Sequence, residues 1–274
     1  MEEEFKTMMK EYAEEIKAGL KQYFSIIKEE KNITPSLCII QVGDNPASNA
    51  YVKGKLNDGK ELGAEVVLKK FDENIKKEDL IQEIKLLNNN NNCHGIIIQL
   101  PLPKHLNEEE ILSYVTPLKD VDGFSEKSPC YPCTPFGIIL FLKRLNIKLD
   151  GMNTLIIGRS NIVGKPMAKM LLANNANVTI CHSHTKKEDL INYVANADLI
   201  ISATGKQGIL NKTFKYKPYA LVIDVGINRG EDGKLHGDCE PDLPVFYQSP
   251  VPGGVGLLTR AALYMNLSIL IGKN

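Results

Sequence analysis

Short apolar segments alternate with helical segments along most of the chain, and this alternation constrains the fold more than any other feature. SLCIIQVG at 36–43, EVVLKKF at 65–71 and HGIIIQL at 94–100 are each typical of a buried strand, and helical periodicity lies between them. Strands separated by helices pair in parallel, because a parallel crossover needs about the length of a helix. The sequence therefore predicts an α/β fold with a parallel sheet.

A second series of strands and helices begins near residue 153. Residues 154–185 have the pattern strand, glycine turn, helix, strand, and apolar segments at 197–205 and 220–228 predict two further strands. This order is typical of a Rossmann-like domain that binds a dinucleotide.

A polar, proline-rich stretch at 125–135 separates the two series and is typical of a domain boundary. Thr134 is expected to cap the helix that follows, and the apolar helix at the end of the sequence is expected to pack back on the first domain. We therefore predict two α/β domains: residues 1–134 plus 258–274 form the first, and residues 135–257 form the Rossmann-like domain.

The balance of charge argues against nucleic acid or an anionic membrane as a partner, since 33 basic residues are matched by 33 acidic ones. No apolar run is long enough to span a membrane, and the acidic N-terminus lacks the features of a signal or transit peptide. We therefore expect a cytoplasmic protein whose partners are small molecules or a second copy of the chain. Its six cysteines are expected to be reduced.

Cys130 and Cys133 form a C-x-x-C motif, which is found in zinc and redox sites. Zinc is usually held by four ligands, and no second motif supplies the other two. The motif also lacks the strand-to-helix junction of a thioredoxin-like site. We therefore expect neither a metal nor a redox role here.

The segment NPASNAYVKGK at 45–55 places a tyrosine and a lysine four residues apart, just inside a helix that Asn45 or Ser48 is suited to cap. Tyr51 and Lys55 would lie on one face of this helix, next to an apolar stripe. A lysine held against the protein body can lose solvation and then act as a general acid or base. The alternative is an ordinary solvated lysine beside a core tyrosine.

Two further polar side chains lie where the chain leaves apolar or extended segments. Gln99 follows a run of isoleucines, at the carboxyl end of a predicted strand, where open α/β sheets bind ligands. Asp122 follows Asp120 in KDVDG, and on an extended segment the two carboxylates would face the same way. The alternatives are an amide that caps a turn for Gln99 and a plain Asp-Gly turn for Asp122.

The glycine turn of the second series is suited to a phosphate. Gly158 and Gly164 flank a helix start, where backbone N–H groups are free to bind an anion. The pattern departs from G-x-G-x-x-G, because Ser160 replaces the second glycine and the last glycine falls one position late. We interpret the turn as part of a dinucleotide site.

The donors near this turn favour NADP over NAD. The second strand of the series ends without the acidic residue that binds the ribose hydroxyls in NAD sites. Ser183 and Thr185 follow it instead, and Arg159 lies in the glycine turn, so these side chains suit a 2′-phosphate. Gly205 and Ile227 follow the next two strands and are expected at the same edge of the sheet.

The glycine-rich loop SPVPGGVGLLT at 249–259 is expected to have several backbone N–H groups open to a ligand. Its Gly253 and Gly254 are candidates for contact with the substrate.

An ordered series of motifs resembles the bifunctional methylenetetrahydrofolate dehydrogenase/cyclohydrolase family. The series is VGDNPASNAYVKGK, GIIIQLPLP, KDVDGF, PCTP, GRSNIVGKP, CHSHT, DVGIN and PVPGGVG, and it extends over nearly the whole chain. The resemblance implies a one-carbon folate enzyme. It would oxidise 5,10-methylenetetrahydrofolate to 5,10-methenyltetrahydrofolate with NADP and then hydrolyse the product to 10-formyltetrahydrofolate.

The resemblance also implies roles for individual residues. Lys55 matches the essential cyclohydrolase lysine of the family, Tyr51 its aromatic companion, and Gln99 the amide that orients the lysine. Asp122 matches the carboxylate that holds the aminopyrimidine edge of the folate. The implied cofactor contacts are Gly158, Arg159, Ser160, Ser183 and Ile227.

The sequence departs from the family in two places. The segment between Gly123 and Pro132 is shorter, and Leu257 and Leu258 replace the usual Pro-Met after PVPGGVG. The resemblance implies a homodimer.

Two other functions stay open, a monofunctional NAD-linked dehydrogenase of the same fold and a non-catalytic dinucleotide-sensing protein. Lys55 and Gln99 argue against the loss of hydrolysis, and Arg159 argues for NADP.

Overall fold

The computed structural model describes residues 2–230 and 232–273, with side chains described from residue 7 onward. The chain divides into two compact units. The first unit comprises Glu15–Cys133 and Arg260–Asn274, and the second comprises Met1–Glu14 and Thr134–Thr259. No helix in the described part of the chain is long and apolar enough to cross a membrane.

Strands and helices alternate from the N-terminus to residue 113. In order they are α1 (Glu2–Lys31), β1 (Ser36–Val42), α2 (Pro46–Leu62), β2 (Glu65–Phe71), α3 (Lys77–Asn88), β3 (Gly95–Ile98) and α4 (Glu108–Ser113). The strands form a parallel sheet in the order β2-β1-β3. A parallel bridge between Ile96 and Asp120 adds a further segment beside β3.

The first sheet buries its central strand completely. Every residue of β1 is buried, which explains why its sequence is a continuous apolar run rather than an alternating one. Leu80, Ile84 and Leu87 form one face of α3, and they join Ile40 and Ile96 in the core.

The second unit contains a larger parallel sheet. Its elements, together with the last helix, are α5 (Cys133–Arg144), β4 (Asn153–Ile157), α6 (Gly164–Ala173), β5 (Asn177–Cys181), α7 (Lys187–Asn196), β6 (Leu199–Ser202), β7 (Leu221–Asp224), β8 (Asn228–Arg229), β9 (Leu235–His236), β10 (Tyr247–Gln248) and α8 (Val255–Ile271). The sheet order is β10-β7-β6-β4-β5, and β8 and β9 form a separate antiparallel pair.

The strand order reverses at β4, since β5 lies on one side of it and β6 on the other. In such sheets a ligand crevice opens at the carboxyl ends of the strands that flank the reversal. The residues that follow β4 and β6 are therefore placed at a binding edge.

Both predicted series of strands and helices are confirmed, and so is the return of the last helix. Residues Arg260–Asn274, which include most of α8, belong to the first unit. The antiparallel β8–β9 pair forms a short hairpin.

Three details differ from the sequence-based expectations. Strand β10 was not predicted, because its two residues are too few to show periodicity. Helix α5 begins at Cys133, and Thr134 does not precede it as a cap; its Oγ1 lies 3.0 Å from that of Thr259 in the same unit. Residues up to Glu14 group with the second unit, because α1 is one helix of 30 residues, about 45 Å long.

Candidate active site

Lys55 and Gln99 meet at the carboxyl edge of the first sheet. Gln99 directly follows β3, and its backbone N–H continues the ladder by donating to Ile40 O at 2.8 Å. Lys55 Nζ donates to Gln99 Oε1 at 3.0 Å, while Gln99 Nε2 donates to Leu100 O at 2.8 Å. The second of these bonds fixes the amide so that its oxygen faces the lysine. Lys55 is 9% exposed.

Helix α2 is held firmly at the end that enters this site. Asn45 is the N-cap, and its side chain accepts from the N–H groups of Ala47 and Ser48, as one of the two predicted caps would. Ser48 Oγ donates to Leu100 O at 3.3 Å and so ties the helix to the loop after Gln99. Gly63 ends α2 with φ of 78°, in the left-handed region.

Tyr51 lies one helical turn before Lys55 and is partly buried. Burial raises the pKa of its phenol, and the positive charge of Arg260 opposes this rise. Tyr51 therefore stays neutral at physiological pH and offers an aromatic ring beside the lysine.

Asp122 is the acidic group of the site. Burial raises the pKa of its carboxyl to about 6, an effect that the charge of Lys55 opposes and that of Asp120 reinforces. Asp120 faces away into its own loop, where its carboxylate accepts from the N–H groups of Gly123 at 3.0 Å and Ser125 at 2.7 Å. The two aspartates therefore differ in role. Asp120 holds the turn through its hydrogen bonds, and the carboxyl group of Asp122 interacts with the charge of Lys55.

The C-x-x-C cysteines lie next to Asp122 and are buried free thiols. Cys133 Sγ lies 4.0 Å from Asp122 Oδ1 and accepts from Asn266 Nδ2 at 3.4 Å. Burial raises the pKa of Cys130 to about 12, and burial together with the Asp122 charge raises that of Cys133 well above its usual value. Among the described residues, no group of three or more His, Cys, Asp or Glu side chains is placed to hold a metal.

The glycine turn of the second unit lies at the strand reversal. Gly158 follows β4 with φ of 121°, and a Cβ there would lie 2.2 Å from Ala203 O, which follows β6. A Cβ at Gly164 would lie 2.3 Å from Gly158 O. Both glycines are therefore required, because the two strand ends and the start of α6 approach more closely than any side chain allows.

Ser160 replaces the missing glycine by holding the turn from within. Its Oγ accepts from Val163 N at 3.1 Å and Gly164 N at 3.4 Å. Arg159 and Ser183 are exposed, while Thr185 Oγ1 accepts from His182 N at 2.9 Å. Thr185 therefore shapes the loop after β5, and Arg159 and Ser183 keep their side chains directed to solvent.

A buried carboxylate holds the loop that contains Gly205. Asp238 is 0% exposed, and its Oδ2 accepts from Thr204 N at 2.6 Å and Thr204 Oγ1 at 2.9 Å. Its Oδ1 accepts from Lys206 N at 3.0 Å and Asn228 Nδ2 at 3.1 Å. One side chain thus fixes the main chain on both sides of Gly205.

Asp224, at the end of β7, does the same for the loop that contains Ile227. Its Oδ1 accepts from Gly226 N at 2.9 Å and Asp238 N at 3.0 Å, and its Oδ2 from Cys239 N at 2.8 Å. Burial raises the pKa of Asp224, which these backbone N–H groups oppose. Ile227 itself is exposed at the edge.

Gly253 and Gly254 lie in the loop that precedes α8, in the second unit, and this loop is shorter than predicted because α8 begins at Val255. Gly253 has φ of 96°, and a Cβ at Gly254 would lie 2.4 Å from Pro250 O. These glycines are required by the path of the loop, and their part in substrate binding stays a prediction.

The structure brings the predicted residues together in two groups. Lys55, Gln99, Tyr51 and Asp122 lie in the first unit, and the candidate cofactor residues lie around the strand reversal of the second. Sequence reasoning missed the buried supports Asp238, Asp224 and Asn266. Aspartates directly after or near predicted strands were visible in DVGIN and HGD, but nothing local showed which loop each would hold.

Two family models together match most of the chain. Residues 8–122 match the tetrahydrofolate dehydrogenase/cyclohydrolase catalytic domain, and residues 132–273 match the NAD(P)-binding domain of the same family.

Individual relatives agree in sequence and in structure. The bifunctional protein FolD of Variovorax paradoxus (strain S110) is 45% identical over 86% of this chain and 87% of its own length. The crystal structure of the bifunctional enzyme FolD, a methylenetetrahydrofolate dehydrogenase/cyclohydrolase from Campylobacter jejuni, has 41% identity and a TM-score of 0.91, with 96% of each chain covered. The Trypanosoma brucei dehydrogenase-cyclohydrolase, solved with NADP and an inhibitor, has 29% identity and a TM-score of 0.91, with 97% of this chain and 96% of that chain covered.

Proposed function

The chain belongs to the tetrahydrofolate dehydrogenase/cyclohydrolase family, and we propose on this basis that it is a bifunctional one-carbon folate enzyme. It oxidises 5,10-methylenetetrahydrofolate to 5,10-methenyltetrahydrofolate with NADP and hydrolyses the product to 10-formyltetrahydrofolate. The observation that carries this proposal is the 3.0 Å hydrogen bond from Lys55 Nζ to Gln99 Oε1. The charge of Lys55 also acts on the carboxyl group of Asp122, whose pKa it lowers.

The residues of the second unit fit a dinucleotide. A Cβ at Gly158 or Gly164 would collide with main-chain oxygen atoms, so at these two positions the turn offers backbone groups only. Gly158, Ser160, Gly205 and Ile227 would contact the cofactor along this edge. Arg159 and Ser183 would hold the 2′-phosphate, with Thr185 shaping the loop between them and α7. When bound, NADP supplies the nicotinamide ring that accepts a hydride from the methylene bridge.

Asp122 and Tyr51 bind and orient the folate. An ionised carboxylate accepts two parallel hydrogen bonds from an aminopyrimidine edge, which suits Asp122. The ring of Tyr51 offers a flat apolar surface one turn from Lys55. Hydride transfer depends on alignment rather than on an acid or base, so these positioning contacts serve the dehydrogenase step.

Lys55 moves protons in the hydrolytic step. Lys55 Nζ accepts a proton from water as the water oxygen bonds to the methenyl carbon. The bond from that carbon to N5 then breaks, and Lys55 returns a proton to N5. One further proton leaves to solvent, so the cation and water give neutral 10-formyltetrahydrofolate. Gln99 Oε1 holds Nζ in place during this cycle.

We also propose the finer points of assembly and location. The substrate is a small molecule, and the active form is a homodimer, in line with the preference of soluble proteins for symmetric pairs. All six cysteines are free, which fits a reducing compartment such as the cytoplasm. Light scattering on the purified protein tests the dimer directly.

The two domains predicted from the sequence would each bind one ligand. Residues 1–134 plus 258–274 would bind the folate, and residues 135–257 would bind NADP.

A spectrophotometric assay tests the proposed function. Methylenetetrahydrofolate is supplied with NADP or with NAD, and methenyltetrahydrofolate is then supplied alone. We expect reduction with NADP and loss of the methenyl absorbance without cofactor. Reduction with NAD and no enzymatic hydrolysis would identify a monofunctional dehydrogenase, and no turnover of either folate would leave a non-catalytic binding protein.

A further inference from the structure

Helix α8 contacts the main chain beside both Lys55 and Asp122, within the first unit. Tyr264 Oη donates a 2.5 Å hydrogen bond to the main-chain O of Lys55. Asn266 Nδ2 donates a 2.8 Å bond to the main-chain O of Val121, the residue before Asp122. Both α8 side chains are 0% exposed. Two side chains of α8 therefore hold the main chain at Lys55 and at Val121, the residue before Asp122.

Glycines in α2 make room for this contact. Glycine is unfavourable inside a helix, so two interior glycines call for a packing reason. A Cβ at Gly59 would lie 2.2 Å from Val66 Cγ2 and 2.7 Å from Tyr264 Oη, and a Cβ at Gly54 would lie 2.0 Å from Arg260 Nη1. Tyr264 and Arg260 are one helical turn apart on α8, so they enter two gaps on one side of α2.

A buried ion pair holds the same turn. Asp58 is 5% exposed, and its Oδ2 lies 3.1 Å from Arg260 Nε. Its Oδ1 lies 3.7 Å from Lys17 Nζ on α1. The turn of α2 after Lys55 is thus fixed by charge at Asp58 and by the Tyr264 hydrogen bond at Lys55 itself.

Asn266 closes the segment that contains Asp122. Besides Val121 O, its Nδ2 donates to Tyr131 O at 2.7 Å, and its Oδ1 accepts from Tyr131 N at 3.4 Å. The amide therefore joins the start of this segment to its end, next to Cys133, whose thiol it also contacts. This one buried side chain therefore fixes both ends of the segment relative to α8.

We propose that Tyr264 and Asn266 are positioning residues of the folate site. Tyr264 sets the position of Lys55 relative to Gln99, and Asn266 sets the position of Asp122. This inference rests on the proposed function, because it assigns separate effects to the two proposed activities.

The two residues are expected to act on different kinetic constants. A displaced Lys55 slows proton transfer in hydrolysis but leaves hydride transfer to proceed, because the oxidation needs no base. A displaced Asp122 weakens folate binding in both reactions. Loss of stability alone would do neither, since it lowers the fraction of active enzyme and so reduces both turnover numbers equally.

The test compares Tyr264→Phe, Asn266→Ser and the control Leu270→Val, a buried core position on the same helix. Both kcat and KM are measured for each activity, and thermal unfolding gives the folded fraction. For Tyr264→Phe we expect hydrolytic kcat to fall about tenfold, while KM for the folate and dehydrogenase kcat stay within about threefold. For Asn266→Ser we expect KM for the folate to rise about tenfold in both reactions. The control is expected to leave both constants within about twofold per folded molecule.

Each outcome decides the matter. Separate effects on hydrolytic kcat and on KM would support the proposal. Equal losses of both turnover numbers with unchanged KM would reduce the two residues to a purely structural role, and so would two variants with wild-type constants. A wild-type enzyme without hydrolysis would instead refute the proposed function on which the inference depends. If Asn266→Ser does not fold, Tyr264→Phe decides alone, because it removes one oxygen atom and keeps the ring.

Discussion

Lys55 Nζ lies 3.0 Å from Gln99 Oε1, although the two residues are 44 positions apart in the sequence. Helix α2 brings the lysine to the edge where β3 ends, and the Gln99 amide is locked by its own bond to Leu100 O. The lysine therefore has a defined place near a partly buried carboxyl group, that of Asp122.

Lys55→Met is expected to abolish methenyl hydrolysis, by at least about 10³-fold, because Lys55 is the amine proposed to move the protons. Folate binding should persist, since Asp122 and Tyr51 are unchanged. Binding is measured by fluorescence titration and hydrolysis by absorbance. Lys53→Met is the matched control, because Lys53 is an exposed lysine on the same helix. Near-normal hydrolysis by the Lys55 variant would remove the role assigned to this residue.

Folate affinity is expected to fall in acid. Burial raises the pKa of Asp122 to about 6, so the carboxylate that accepts from the aminopyrimidine is lost as pH falls through that value. KM for both folates should therefore rise about tenfold for each pH unit below 6. The Asp122→Asn variant should bind weakly at every pH and lose this dependence. A wild-type KM that stays flat down to pH 5 would contradict the prediction.

The same substitution is expected to stabilise the fold at neutral pH. The folded pKa of Asp122 is raised, so the cost of its buried charge is fully present above pH 6 and disappears below the unfolded value of about 4. Asp122→Asn should therefore raise the free energy of unfolding by roughly 1 to 3 kcal/mol at pH 8 and change it little at pH 4. Urea unfolding at the two pH values measures this, with the exposed Asp150→Asn as control.

Arg159→Ala is expected to weaken NADP binding by roughly 10- to 100-fold and to change NAD binding little, because only NADP has the 2′-phosphate that Arg159 would hold. Dissociation constants for both dinucleotides are measured by calorimetry. Lys148→Ala removes an exposed charge before β4, at the opposite end of that strand, and serves as control. Equal loss of affinity for the two dinucleotides would remove the argument for NADP.

Much of this architecture follows from local sequence. The runs of isoleucine and valine identify β1, β3, β4, β6 and β7, because strands buried on both faces must be apolar throughout. Asn45, Pro46 and Gly63 mark the ends of α2 by their capping chemistry. Gly158 and Gly164 identify the phosphate turn, because no other residue fits there.

The supports of the site could not be predicted in this way. The local sequence around Asp238 is typical of a turn. Its carboxylate nevertheless accepts hydrogen bonds from Thr204 and Lys206, which are more than thirty positions away. Tyr264 and Asn266 read as members of an apolar helix, and their partners are main-chain oxygen atoms that any residue would supply. A contact of this kind leaves no pattern at the partner position. Gly54 and Gly59 are a local signal of this packing, because each leaves space on the surface of α2 for another side chain.

Those two glycines make distant parts of the chain interdependent in evolution. A side chain at position 59 would collide with Val66 and Tyr264, and one at position 54 would displace the guanidinium group of Arg260. Substitutions at positions 54 and 59 should therefore be accompanied by changes at these partner positions among relatives. A chimaera that takes α2 from a relative should keep its activity only when α8 is transferred with it.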